Sequence, residues 1–291
     1  MSATAFSTPP PQTVHCTLSF PTPDHSILLV TLNRPKSLNC INSQGHAELF
    51  DVWEWMDAEP AVRVGILTGG GRAFCAGADL KEWDAVNSAT SERERKPPVP
   101  ASGFGGISRR TGKKPIICAV NGIAFGGGCE IIINADMVIA SSRAAFALPE
   151  VKRGVVALAG GLTRLIRTVG RPRATEMALT GRVVGVREAE GWGLINEVVD
   201  DEGETGAEEG VGRKVVRRAV EVALEIAGNS PDSVIVTREG LKLGWEGVGA
   251  EEGSRLLQDA WGKKLNDGEN IKEGVRAFVE KRKPRWVPSK L

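Results

Sequence analysis

The chain has 291 residues, of which 37 are Lys or Arg and 36 are Asp or Glu, giving a formal net charge of +1. That length suits one large α/β domain, or one domain with a helical appendage, around a substantial core. The balanced charge excludes a global field drawing the chain to nucleic acid or an anionic membrane, and no apolar run approaches the ~20 residues of a membrane span.

Residues 1–13 hold Pro9-Pro10-Pro11 and are expected to be disordered or loosely attached. They carry neither the charged-then-apolar pattern of a secretory signal nor the arginines of a mitochondrial presequence, since the first basic residue is Arg34. Ile27–Leu32 is a short apolar run closed by Asn33-Arg34-Pro35 and predicts a buried strand. A helix is expected from about Ser43, where Leu49, Phe50, Trp53 and Met56 recur at three- and four-residue steps before Pro60. Val64–Thr68, Ile116–Val120 and Met137–Ala140 read as further strands, and Gly127–Asn134 as a helix entered through Asn121-Gly122. Strands alternating with helices predict an α/β fold with largely parallel strands.

The stretch 84–114 is polar and rich in Pro, Gly and basic residues. Its length without an element points either to a lid or pocket wall, or to a disordered insertion. Residues 201–212 are acidic and Gly-rich and read as a linker after a core spanning 14–200. Residues 213–283 show helical patterns. Val216, Ala219, Val220, Ala223, Leu224 and Ala227 make one apolar face, and such stripes suggest self-association. Residues 284–291 form an extended tail, kept from helix by Pro284 and Pro288. It ends Ser289-Lys290-Leu291, the tripeptide that a peroxisomal import receptor reads, so an accessible tail and a peroxisomal location are expected.

The five cysteines are scattered without a CxxC, which fits a reduced compartment and argues against a disulfide framework or a zinc site. His15, His25 and His46 all fall early in the chain, away from the Gly-rich segments, so a Ser-His-Asp or Cys-His mechanism is not expected. Cys129 beside Glu130 reads as a small buried thiol rather than a nucleophile.

The chemistry concentrates in Ala73–Asp79, Gly122–Glu130 and Phe146–Glu150. Two glycine-containing turns offer backbone N–H groups, and two carboxylates lie close by in sequence. Acyl-thioester chemistry asks for that combination: donors for a developing oxyanion and an acid/base pair beside it. Gly126-Gly127-Gly128 at a helix start would aim the Gly127 amide along the positive end of the helix dipole, although tight packing of a strand–helix turn explains three glycines equally well. Glu130 could simply complement the same dipole, and Glu150 could be a surface loop acid. No Gly-Lys-Ser/Thr ends the turn, and no G-x-G-x-x-G follows a strand in a βαβ unit, which excludes a Walker A loop and disfavours a nucleotide-redox enzyme.

Together, Asn33-Arg34-Pro35, Ala73-Phe-Cys-Ala-Gly-Ala-Asp-Leu-Lys81, Asn121-Gly122 with Gly126-Gly-Gly-Cys-Glu130, and Phe146 with Pro149-Glu150 and Gly160-Gly161 resemble the enoyl-CoA hydratase/isomerase (crotonase) superfamily. The resemblance runs in order from about residue 27 to residue 282. It implies a crotonase-like spiral of ββα units with a C-terminal helical trimerisation region, usually in a homotrimer or a dimer of trimers. It also implies roles. Ala78 and Gly127 would donate the oxyanion-hole N–H groups, while Glu130 and Glu150 would hold and deprotonate water and protonate Cα. Coenzyme A would be held by the strip from Ala76 through Asp79 and Leu80 to Lys81, with Lys36 and, from a neighbouring subunit, Phe278 and Lys281. No metal or redox cofactor is implied, because coenzyme A belongs to the acyl-CoA substrate.

Two features depart from the family pattern. Leu158 stands in Gly154–Gly161 where family hydratases commonly carry glycine, and residues 84–114 are expanded behind Trp83. Hydration of an enoyl-CoA is the leading expectation. A Δ3-Δ2 enoyl-CoA isomerase or related lyase, with water excluded by the altered turn, and a catalytically silent CoA- or RNA-binding scaffold stand as alternatives.

Overall fold

The computed structural model describes residues 6–87, 101–201, 203–204 and 210–291. The strand β1 (Cys16–Ser19) runs antiparallel to β2 (Ile27–Leu32). Helix α1 (Ser43–Ala58) then returns the chain to β3 (Val64–Gly69), which pairs parallel with β2. From there the chain repeats one unit. β3 and β4 (Ala73–Cys75) lead to α2 (Leu80–Asn87); β5 (Ile116–Val120) and β6 (Ile123–Phe125) lead to α3 (Gly127–Asn134); β7 (Met137–Ser141) and β8 (Ala145–Ala147) lead on to α4 (Gly161–Val169).

In each unit the first strand joins one sheet and the second joins another. The larger sheet has the order β1-β2-β3-β5-β7-β10, with β10 spanning Glu197–Val199; the smaller is β4-β6-β8-β9, with β9 at Val184–Gly185. This is the expected spiral of ββα units. Pairing is parallel except at β1–β2 and β8–β9. Helices α5 (Arg171–Thr180) and α6 (Val186–Gly191) follow.

The apolar run of β2 is explained by burial on both faces. Leu28, Val30 and Leu32 enter the main core, while Ile27 and Leu29 point the other way into a second cluster. Alternation along a strand sends neighbours to opposite faces, so a strand covered on both sides must be apolar throughout. The cover on the second face is α7 (Lys214–Ala227), whose Val215, Val216, Ala219, Val222, Ala223 and Ala227 pack on Ile27, Leu29, Val64, Ile66, Ile117 and Ile139. Residues 213–283 are therefore not all one peripheral layer: their first helix belongs to the core. The more peripheral helices are α8 (Pro231–Trp245), α9 (Ala250–Leu257), which passes through a π-turn into α10 (Lys263–Asp267), and α11 (Glu269–Val279).

Three other boundaries differ from the sequence reading. Residues 6–13 are seated rather than loose. The Phe6 ring lies 4.6 Å from Phe20 and 5.3 Å from Trp55, Ser7 donates twice to Glu59, and Trp55 Nε1 donates to the Thr8 carbonyl. At the head of the acidic segment, Asp201 is 1% exposed and accepts from Ser141, Ser142 and Arg143, so a buried anchor opens the presumed linker; residues 202 and 205–209 lie outside the described residues. Of the 84–114 stretch, 88–100 also lie outside, but 101–114 are packed. Phe104 to Ser108 are buried, and Trp53 Nε1 donates to the Gly105 carbonyl. That half is a wall, not an insertion.

The tail is extended, as Pro284 and Pro288 dictate, but it is docked. Val287 exchanges two hydrogen bonds with Asn270, Trp286 Nε1 donates to the Gly228 carbonyl, and Lys113 Nζ donates to the Leu291 carbonyl at 2.8 Å. Lys290 pairs with Glu269. The expectation of a freely accessible tripeptide is corrected: Ser289 and Leu291 are half-buried, lining a cleft with Arg63, Lys113 and Ile235.

Candidate active site

Each glycine of Gly126-Gly127-Gly128 answers a different demand. Gly126 has φ 55°, a left-handed value that disfavours a side chain. A Cβ on Gly127 would lie 2.5 Å from the Phe104 ring, and one on Gly128 would collide with the Cys75 carbonyl. Packing thus requires the triplet, and the same packing brings bare backbone to a helix start. Cys129 and Glu130 donate back to the Gly126 carbonyl, which opens α3 and leaves the Gly127 amide at its positive end.

The second amide arrives from β4. The turn after it is laced to residues 38–41: Ala76 N donates to Leu38, Ile41 N to Gly77, and Asp79 N to Ile41. Ala78 lies between these bonds. Gly77 has φ 99°, and a Cβ there would sit 3.3 Å from the Gly127 nitrogen, so the two turns are in contact. Among the described residues neither the Ala78 nor the Gly127 amide donates to a protein acceptor. Two unspent donors on adjoining rigid turns can stabilise an oxyanion.

Glu130 is 3% exposed, and its Oε1 accepts from the Gly161 amide at 2.9 Å. Burial pushes its carboxyl up to about 7; the Gly161 amide opposes the shift and the nearby Glu150 charge adds to it. Glu150 sits on the 3-10 turn Pro149–Arg153 that follows β8. Its Oε1 lies 3.2 Å from the place a Gly126 Cβ would occupy, and its Oε2 is buried without a hydrogen-bond partner. Burial raises this carboxyl as well. Two carboxyls raised by desolvation, one clamped and one with an open oxygen, have the properties an acid/base pair needs, and among the described residues neither is held in an ion pair.

Cys129 is fully buried, and burial together with Glu150 and Glu130 pushes its thiol well up, which removes it as a nucleophile. Leu158 is 80% exposed. Among the described residues no group of three His, Cys, Asp or Glu side chains could hold a metal ion, and no helix is long and apolar enough to cross a membrane.

The strip expected to hold coenzyme A is continuous with this site. Lys36 is exposed on the turn Pro35–Ser37, which the Ala76–Leu38 bond ties to Ala76, and Leu80 and Lys81 are exposed at the start of α2. Asp79 has a different job: its carboxylate pairs with Arg34 at 2.9 Å and accepts from the Lys81 amide, so it fixes the strip. Phe278, 86% exposed, and Lys281 lie at the far end of α11 on the surface.

Several residues that shape the site carried no functional signal in the sequence. Asn121 accepts from Gly69 N and donates to Gly71 and Ala73, bracing the β3–β4 turn. Phe104 covers Gly127, and Gly161 clamps Glu130. Of these, Asn121-Gly122 and Gly160-Gly161 stood out, but only as motifs without a role.

The family model described as enoyl-CoA hydratase/isomerase matches residues 22–288. The mevalonyl-coenzyme A hydratase of Aspergillus fumigatus is 51% identical over 276 residues, covering 95% of this chain and 96% of the relative. That of Beauveria bassiana is 50% identical, covering 98% and 99%. Among solved structures, an enoyl-CoA hydratase from Bacillus anthracis superposes with a TM-score of 0.82 at 30% identity, covering 95% of this chain and all of that one.

Proposed function

Because the chain belongs to the enoyl-CoA hydratase/isomerase family and is a hydratase of CoA thioesters, we propose that it interconverts a 3-hydroxyacyl-CoA and its 2-enoyl-CoA through Glu130 and Glu150. We further propose that its acyl group is mevalonyl or a close homologue: a short chain branched at C3 by a methyl group and ending in a hydroxyl. The mechanism rests on one observation, the pairing of a clamped Glu130 with the open Oε2 of Glu150 beside two unspent amides. The acyl group rests on the two relatives at 51% and 50% identity whose names specify mevalonyl-coenzyme A.

In the hydration direction the thioester oxygen sits between the Ala78 and Gly127 amides. Water, held by Glu130, adds its oxygen to C3 and gives a proton to that carboxylate. The electron pair of the C2–C3 bond moves toward the thioester, and the enolate oxygen is stabilised by the two amides, each worth about 3–4 kcal/mol in comparable enzymes. Glu150, whose carboxyl burial raises, delivers its proton to C2. The sum is one water added, and the carboxyls reset by exchanging one proton. No redox step or metal is needed.

The isomerase alternative rests on the altered 154–161 turn excluding water, and the exposure of Leu158 in that turn lends it no support. The near-neutral charge gives a nucleic-acid scaffold no support. Exposed Leu241 on α8 and Ile271, Val275, Phe278 and Val279 on and beside α11 support assembly into a homotrimer or a dimer of trimers, in which Phe278 and Lys281 would reach a neighbour's coenzyme A. Ser289-Lys290-Leu291 supports delivery to the peroxisome where Leu291 bears a free carboxylate; the receptor would first have to lift the tail from Lys113.

The test is incubation with mevalonyl-CoA, its dehydrated enoyl form and crotonyl-CoA, followed by mass spectrometry. Loss or gain of one water on the mevalonyl pair, faster than on crotonyl-CoA, supports both parts. Turnover of crotonyl-CoA alone would keep the mechanism and sink the acyl assignment.

A further inference from the structure

We propose that Ser108 is a positioning residue that ties the oxyanion-hole wall to the clamp on Glu130, an inference that rests on the hydration reading above. Its side chain is completely buried. The Oγ accepts from the Phe104 amide at 2.7 Å and donates to the Ala159 carbonyl at 2.6 Å. A hydroxyl has one proton to give, and here it goes across to the 157–161 turn.

Each end of that two-bond path leads to a reacting group. On one side, the Phe104 ring occupies the space over Gly127, where a Cβ would come within 2.5 Å of it. On the other, Ala159 stands two residues before Gly161, whose amide holds Glu130 Oε1 at 2.9 Å. The hydroxyl therefore links the oxyanion donor and the water-holding carboxylate through rigid backbone.

Merely seating the 103–108 turn does not require this hydroxyl. Trp53 Nε1 donates to the Gly105 carbonyl at 3.0 Å, the Gly105 amide donates to His46 Nδ1 at 3.2 Å, and Asn134 Nδ2 donates to the Ile107 carbonyl at 2.7 Å. These bonds fasten the turn to α1 and α3. What Ser108 adds is the crossing to Ala159. The space is fitted to it, since Gly103 has φ 80° and a Cβ there would strike the Ser108 oxygen.

Loosening the crossing should reach Glu130 through its amide donor. The charged group acting on that carboxyl is Glu150, from the turn after β8; two arginines flank nearby Gly160, Arg109 through its aliphatic stem and Arg164 of α4, which donates to the Gly160 carbonyl. A donor to the ionised carboxylate favours that form, so its loss moves the acid limb of the rate profile to higher pH.

The experiment compares Ser108→Ala and Ser108→Cys with wild type in the full chain, reading kcat and KM against pH and amide exchange over 157–161. Cysteine fills the space with a poor donor, which separates loss of the bond from an unfilled cavity. The expected result in both variants is a kcat lower by about 10–100-fold, the cost of a small misplacement. KM should change little, the acid limb should rise, and exchange at Ala159–Gly161 should quicken. In a Glu130→Gln background Ser108→Ala should add almost nothing. A folded variant with wild-type kcat, profile and exchange overturns the proposal, as does an equal loss in the Glu130→Gln background. If the wild type hydrates no enoyl thioester, the hydration reading fails, and the exchange comparison alone then decides the tie.

Discussion

The Gly161 amide donates to Glu130 Oε1 at 2.9 Å, and a Cβ on Gly161 would lie 2.6 Å from Glu130 Cγ. The donor that holds the carboxylate and the absence of a side chain that would push it away are thus the same residue. Gly161→Ala should leave the fold intact, since the flexible Glu130 side chain can swing aside, yet lower kcat by about 100-fold through misplacement. Steady-state kinetics beside a circular-dichroism melt check this; unaltered kcat would show that Glu130 works from another position.

Glu130→Gln and Glu150→Gln keep shape and hydrogen bonding while removing proton transfer. Each should cost about 10²–10⁴-fold in kcat, with smaller changes in KM because neither carboxylate is needed to hold coenzyme A. Initial rates on the enoyl thioester measure both. A variant with unchanged turnover removes its residue from the mechanism.

Glu130 also predicts a stability effect whose sign can be worked out. Its carboxyl sits at about 7 in the folded chain against 4.5 ordinarily, so between those values the native state keeps a proton that the unfolded chain has released. Stability must fall as pH rises through that window. Glu130→Gln removes the loss and should be more stable than wild type by about 1–3 kcal/mol above neutral pH, with little difference near pH ~4. Urea unfolding at both pH values tests the claim; a constant offset would contradict it.

Lys114 is buried at the end of α1, where its Nζ donates to the carbonyls of Met56 and Glu59 at 2.7 and 2.5 Å. Burial brings its ammonium down to about 8, yet it satisfies the carbonyl end of a helix dipole. Lys114→Met should leave the Met56 carbonyl unpaired, the Glu59 carbonyl keeping the Val62 amide, and cost about 1–3 kcal/mol, with kinetics of the surviving folded enzyme unchanged. A melt and a rate assay on the same preparation separate the two.

Cys129 is fully buried beside two carboxyls and Cys40 only half-buried. An aromatic disulfide reagent should therefore modify Cys40 first in the native chain and reach Cys129 only on unfolding. Mass mapping of the first adduct reads the order.

Much of this architecture was legible because its elements announce themselves locally. The span Gly127–Asn134 and the run Ile27–Leu32 are observed as expected, since a glycine turn before an apolar helix and a doubly buried strand leave strong one-dimensional traces. β4, β6 and β8 have three residues each, too few for periodicity to show. The clamp on Glu130 was hidden for another reason. It comes from a backbone amide 31 residues away, and amides are present at every position but proline, so nothing in the side-chain sequence marks the one that matters. Ser108 was equally silent, because its meaning lies in the carbonyl opposite. The apolar face of α7 was visible, but not whether it met a neighbour or its own sheet; burial of Ala219 and Ala223 against Ile66 and Ile117 supplies the answer.

That answer bears on how the chain can be shortened. A version ending before Lys214 would keep both glutamates and both oxyanion amides, yet it would present Ile27, Leu29, Ile66 and Ile117 to water as a broad adhesive face. The residues proposed for the chemistry and the helix that keeps that face from water lie on opposite sides of one sheet, so a fragment ending upstream of α7 would carry the site on an uncovered core.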